Sequence, residues 1–195
     1  MKTLYLFILL GFFITARSQN ILNWDKNYQL QFSDFQSPAT EVGQGTNYSV
    51  YSTAGFDYAF YMIQAEFMFT KNFNSKVNCT FQRNASSIVA RDSTMAYQLL
   101  RFSRYSFDLA ELFARKFRKK IFEEKSAFSD LSFFRPIYEE MSRELNVQNA
   151  LAARQTDMGR NEEKLKQLHA EVLREIETLA DFCKTCKPPK RKKKS

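Results

Sequence analysis

The stretch Thr94–Lys125, TMAYQLLRFSRYSFDLAELFARKFRKKIFEEK, decides how the rest of the chain is read. It holds no Gly and no Pro. Its apolar residues Leu99, Phe102, Tyr105, Leu109, Leu112, Phe113, Phe117 and Ile121 recur with a helical period, the spacing that puts side chains on one face of an α-helix. The pattern predicts a long amphipathic helix. In a chain of 195 residues we expect it to run through the core of a single domain.

Upstream the period shortens. Ile21–Phe35 predicts a short strand, with Leu30, Phe32 and Phe35 to one side and Gln31 and Asp34 off it, then a turn at Ser37-Pro38. Asn47–Phe56 alternates Tyr48 and Val50 with polar residues, a strand pattern. Tyr58–Thr70 is almost continuously apolar and reads as a buried strand. Lys76–Gln82 alternates Val77, Cys79 and Phe81 with polar neighbours, a further strand. Downstream the period lengthens again. Pro136 stands where a first helical turn tolerates it, and Ile137–Ala153 predicts a second helix. Thr156-Asp157-Met158-Gly159 breaks the pattern. Glu162–Phe182 predicts a third helix, with Leu165, Leu168, Val172, Ile176 and Leu179 on one face. The expectation is an α+β domain, a small, mostly antiparallel sheet packed on a long central helix and two further helices.

Both ends differ from this body. Residues 1–18 carry one lysine before an apolar run from Leu4 to Ile14, followed by Ala16 and Ser18, the pattern of a cleaved secretory signal peptide. Residues 184–195 form a basic tail expected to be disordered. Of the 29 basic residues two lie in 1–18 and seven in 184–195, so the body 19–183 carries 20 against 21 acidic ones. A nucleic-acid-binding domain concentrates basic excess on its folded surface, so nucleic acid is not an expected partner. The Lys184–Lys194 tail could contact an anionic surface, each cation adding about 1 kcal/mol near one.

The side chains that could carry chemistry are few. Cys183 and Cys186 have CxxC spacing, but with no second pair they cannot enclose zinc. A local disulfide closing the last helix is expected, since no βαβ context suggests redox catalysis. The third cysteine, Cys79, is left free or joined to another chain. The only histidine, His169, lies among charges on the last helix, where solvation is its ordinary state. Asp108 and Glu111 share a face of the central helix and are expected to pair with Arg104, Arg115 or Lys116. Phe117, Phe122, Phe133 and Phe134 read as core. No glycine-rich phosphate loop occurs.

The string Ser106–Ile121, SFDLAELFARKFRKKI, resembles part of the signature of a secreted bacterial family, the domain of unknown function 922, whose members resemble zinc metalloproteases. In that family an HExxH helix continues directly into an FD-[IL]-AE-x-x-AR-K-x-R-K pattern. The match covers Phe107 to Ala110, Glu111, Ala114 to Lys116, Arg118 and Lys119. Leu30–Phe35 resembles the family's opening motif, with Phe32 in place of Trp. Val77–Phe81 and Ser87–Val89 resemble its later strands.

HExxH works because two neutral imidazoles four residues apart hold zinc while the glutamate between them activates the bound water. In the register implied by the resemblance, Phe102 and Ser106 occupy the histidine positions and Ser103 the glutamate position. Met158 occupies a third ligand position within a T-x-H-G element. None of the four can do the corresponding job, and Arg104 would set a cation beside the former metal position.

The resemblance thus implies a zincin-like fold without zinc, without a cofactor and without peptidase activity. The expected role is that of an exported accessory subunit that binds a protein of the cell envelope or outer membrane, in the periplasm, at the outer membrane or outside the cell. The alternatives are a hydrolase that uses His169 with a carboxylate, and an envelope tether made by the basic tail.

Overall fold

The computed structural model describes residues 20–43, 45–59, 63–126 and 129–189. The expected signal peptide, residues 1–18, and the Lys190–Ser195 end of the tail lie outside them.

The architecture is mixed α+β, with small sheets in the N-terminal half against one long helix and further helices behind it. The strands form two three-stranded sheets rather than one. In the first, β1 (Ile21–Asn23) and β4 (Gly55–Tyr58) flank β5 (Val77–Gln82), both antiparallel to it. In the second, β6 (Ser87–Ala90) lies between β2 (Glu41–Val42), which runs parallel to it, and β3 (Ser49–Tyr51), antiparallel. A single 3₁₀ turn, Arg83–Ala85, carries the chain from β5 to β6. Along β5 Val77, Cys79 and Phe81 are buried and their neighbours are not, the alternation expected of a strand with one face on the core.

The long helix is α2, Ser93–Glu124. Asp92 caps it, its side chain accepting from the Met95 amide at 2.8 Å. That bond holds the Asp92 carboxyl below its usual range. The amphipathic expectation fails in its middle. From Phe102 to Arg118 only Arg104, Asp108 and Lys116 escape burial. Arg104 and Asp108 stand one turn apart on one side of the helix, and Lys116 lies two turns beyond, rotated toward Glu175. The sheets cover one side of α2, and α3 (Phe134–Thr156) and α4 (Glu162–Thr178) cover another. Leu99, Leu109, Phe113 and Phe117 are wholly enclosed, each contributing about 1.5–3 kcal/mol by leaving water.

Three local expectations are corrected. Tyr58–Thr70 is not a strand. The ladder ends at Tyr58, and Gln64–Phe69 forms a short helix, α1, of which only Phe67 is buried. A short apolar run does not distinguish strand from helix by period alone. Strand structure in Ile21–Phe35 stops at Asn23, and Phe32–Asp34 is a 3₁₀ turn. Asp34 is buried rather than turned away. It accepts from the Gln31 amide (2.7 Å), the Tyr28 hydroxyl (2.7 Å) and Arg83 Nε (2.9 Å). Phe122 is only partly buried and outside the core, whereas Phe133 packs against the core from its edge and Phe117 and Phe134 are enclosed, as expected.

The C-terminal turn docks on the body. Cys183 and Cys186 are joined by a disulfide. The Cys186 carbonyl accepts from Asn72 Nδ2 (3.2 Å) and Asn74 Nδ2 (3.1 Å), and Lys184 Nζ donates to Asn23 Oδ1 (3.0 Å). Cys79 is a free, enclosed thiol, and burial pushes its pKa well above the usual range.

Candidate functional site

Two regions of α2 bear on function, on different faces. The first holds the positions that the family resemblance aligns with metal ligands. Phe102 is buried, and its ring lies 6.0 Å from that of Tyr105. The fully enclosed Ser103 hydroxyl donates to the Leu99 carbonyl one turn back (3.0 Å). Ser106 donates to Asn149 Oδ1 on α3 at 2.8 Å. The turn that carries Met158 lies against the same face. A Cβ at Gly159 would stand 2.4 Å from the Gln98 carbonyl oxygen and 3.3 Å from Phe102 Cβ. The turn reaches this closeness through three successive left-handed residues, Asp157 (φ 48°), Met158 (φ 49°) and Gly159 (φ 96°). Only glycine adopts that conformation without cost. Tyr48 holds the turn from outside, its hydroxyl donating to Asp157 Oδ1 at 2.7 Å. Among the described residues no three His, Cys, Asp or Glu side chains are grouped to hold a metal ion.

Arg104 does not stand on this face. Two residues on from Phe102, it turns toward the N-terminal segment, where its Nε donates to the Leu30 carbonyl (2.8 Å).

The second region is a cleft of about 620 Å³ between residues 24–30, the Arg104–Asp108 side of α2, and α4. Its walls are largely apolar: Trp24, Leu30, Phe107, Leu173 and Ile176. A neighbouring hollow of about 430 Å³ shares Gln29, Arg104 and His169 with it. In the larger cleft Asp108 accepts from Trp24 Nε1 through Oδ1 (2.6 Å) and is bonded through Oδ2 to Nε2 of the shared His169 (2.6 Å). The Asp108 and His169 side chains are 22% and 23% exposed, so the pair is half-enclosed yet open to the cleft. Asp108 therefore pairs with none of the cations expected from its helix neighbours, and His169 is not merely solvated. With Asp108 accepting at Nε2, the neutral ring carries its proton there and keeps a lone pair on Nδ1. The His169 ring also meets Tyr105 edge-on at 6.0 Å. Burial, with the Glu171 charge adding to it, pushes the Tyr105 hydroxyl up to about 12. Tyr105 thus stands between the Phe102 face and the cleft.

Local order explains how Trp24 reaches Asp108. The Trp24 amide donates to the Cys79 carbonyl (2.9 Å) just past the β1–β5 ladder, which fixes where the indole begins. The Arg115 guanidinium lies 5.4 Å from the centre of its ring.

Beneath the cleft Glu111 is buried between two guanidiniums, Arg115 Nε (2.8 Å) and Arg118 Nη1 (3.0 Å). The expected partner Arg115 is found, Arg104 and Lys116 are not, and Arg118 is added. Lys116 instead reaches across to Glu175 on α4 (2.8 Å). Arg118 also donates to the carbonyls of Val77 (2.9 Å) and Phe182 (3.0 Å), joining β5, α2 and the C-terminal turn.

Trp24, Asn149 and Arg118 were not candidates in the sequence. Trp24 carried one usable signal, being the single tryptophan of the chain. No family model, no curated protein and no solved structure matches this chain.

Proposed function

We propose that this chain is a binding protein on a metalloprotease-like frame that has given up zinc chemistry, acting as an exported accessory subunit at the cell envelope. One observation carries the reading. The side chains at the aligned ligand and base positions are engaged in packing and short hydrogen bonds. Phe102 is covered by the 156–159 turn, Ser103 is bonded within its own helix, and Ser106 is bonded to Asn149. The closeness of Gly159 to Phe102 supports the register, because it sets the Met158 turn beside the helix positions it is supposed to accompany. The cleft beside Trp24, Asp108 and His169 is the docking place. It is concave, mostly apolar and marked by a few fixed polar groups, as binding sites are.

A photo-crosslinking residue at Leu173, on the cleft wall and 43% exposed, should capture an envelope component. The same residue at Leu151, 47% exposed on α3 outside the cleft, should not. Equal capture from both positions would count against the cleft.

The Asp108–His169 bond favours a second reading, a hydrolase in which Asp108 orients His169 and Nδ1 takes a proton from water. In that case His169→Ala abolishes any hydrolytic activity found, and unchanged activity in the variant excludes it.

A further inference from the structure

One corner of the molecule shows large apolar side chains to solvent beside a group of lysines. Ile63, Met68 and Phe69, at and beside α1, are exposed at 72%, 51% and 81%. Phe67 alone anchors this helix in the core among the described residues. Large apolar side chains exposed together on one short segment are the mark of an interaction surface. The preceding Phe60-Tyr61-Met62 lies outside the described residues but extends the same apolar composition in sequence.

The surroundings are cationic. Lys125 Nζ donates to the Met68 carbonyl (3.3 Å) and lies 4.7 Å from the centre of the Phe67 ring. The Asn72–Cys186 bond brings the C-terminal turn beside the end of α1. Lys71, Lys125 and Lys187 line one hollow of about 560 Å³ with Phe122 and Pro189. From Pro189 the sequence continues as Lys190-Arg191-Lys192-Lys193-Lys194. The basic tail therefore leaves the body at the corner where the apolar side chains are displayed. The acidic groups nearby are Asp181, whose carbonyl accepts from Asn74, Asp130, next to the Ser129 carbonyl that accepts from Gln64, Glu66 on α1, and Glu123 and Glu124 at the end of α2. The latter two stand within 3.8 Å and 3.9 Å of Lys119 and Lys120. With the five cations of the Lys190–Lys194 sequence counted, the balance is positive.

We propose that this corner docks on an anionic lipid surface, with Ile63, Met68 and Phe69 entering the headgroup boundary while Lys71, Lys125 and Lys187 face the anionic headgroups, and that the basic sequence continuing from Pro189 adds charge of the same sign. Apolar insertion alone gives weak, unselective adsorption, and a basic run alone gives a purely electrostatic, salt-labile one. Stable attachment without a membrane-spanning helix takes both signals together. No helix among the described residues is long and apolar enough to cross a membrane, so attachment of this chain through them would be of this peripheral kind. The corner is separate from the Trp24–His169 cleft, which leaves the cleft open in the docked protein.

Co-sedimentation with vesicles tests this. The protein should bind phosphatidylcholine vesicles containing phosphatidylglycerol at least about tenfold more tightly than pure phosphatidylcholine vesicles, and less tightly as salt rises. Met68→Asp with Phe69→Asp should weaken that binding by at least about tenfold, without moving the melting temperature. Phe69→Ser, at the more exposed of the two, serves if the double variant folds poorly. Reversing Lys190, Lys192 and Lys194 to Glu should weaken binding similarly. Undiminished binding by the apolar variants would overturn the proposal and assign attachment to the tail alone. Equal binding to both vesicle types, or retention by an acidic polypeptide but by neither vesicle, would overturn it outright.

Discussion

Gly159 is the residue on which the proposed register leans most. Its φ of 96° and the 2.4 Å between a notional Cβ and the Gln98 carbonyl leave no room for any side chain. The obstacle is backbone, which cannot swing aside. Gly159→Ala should therefore cost about 2–4 kcal/mol, combining left-handed strain with overpacking, read as a lower urea midpoint at unchanged slope. An unchanged midpoint would mean that the turn does not press on α2. At this scale the sequence was partly legible. A helical register is a local signal, and Phe102, Ser103 and Ser106 are buried on α2, while the ligand positions assigned to them and to Met158 belong to the proposal. The roles of Asp108 and His169 were not legible. Trp24 and His169 lie 84 and 61 residues from Asp108, and helix periodicity weighs only neighbours within a turn or two.

The central helix explains why element-level patterns succeed in placing helices and fail in describing their surroundings. The period of Leu99, Leu109, Leu112 and Phe113 predicts α2 within a residue at each end. It cannot predict that Glu111, Arg115 and Arg118 are buried as well, because their burial depends on each other. Glu111 neutralises two guanidiniums, and these reach the carbonyls of Ile176, Val77 and Phe182, which would otherwise lose solvent without a partner. Glu111→Leu leaves two cations uncompensated and should cost about 3–5 kcal/mol in equilibrium unfolding. A loss below about 1 kcal/mol would show that the carboxylate does not hold the cluster. The same logic accounts for α1. Its apolar run reads as a buried strand only if something covers it, and among the described residues Ile63, Met68 and Phe69 stay open to solvent.

At the scale of the whole molecule, strands followed by helices gave the α+β class, and α2 as the shared wall gave the order of packing. The division into two sheets was not legible, since the Arg83–Ala85 turn that separates them carries no strong breaker. The cleft was not legible either, because it is made by three segments that meet only in the fold. In the proposed reading the two faces of α2 have parted in role. One is packed shut where a metal would have stood, and the other lines the cleft. The most direct measurement is zinc binding by the purified full-length chain, read by elemental analysis and by titration after chelation. The account predicts zinc far below one ion per chain, no saturable high-affinity site, and no chelator-sensitive peptidase activity. One tightly held zinc per chain, removed by chelator together with a peptidase activity, would contradict it.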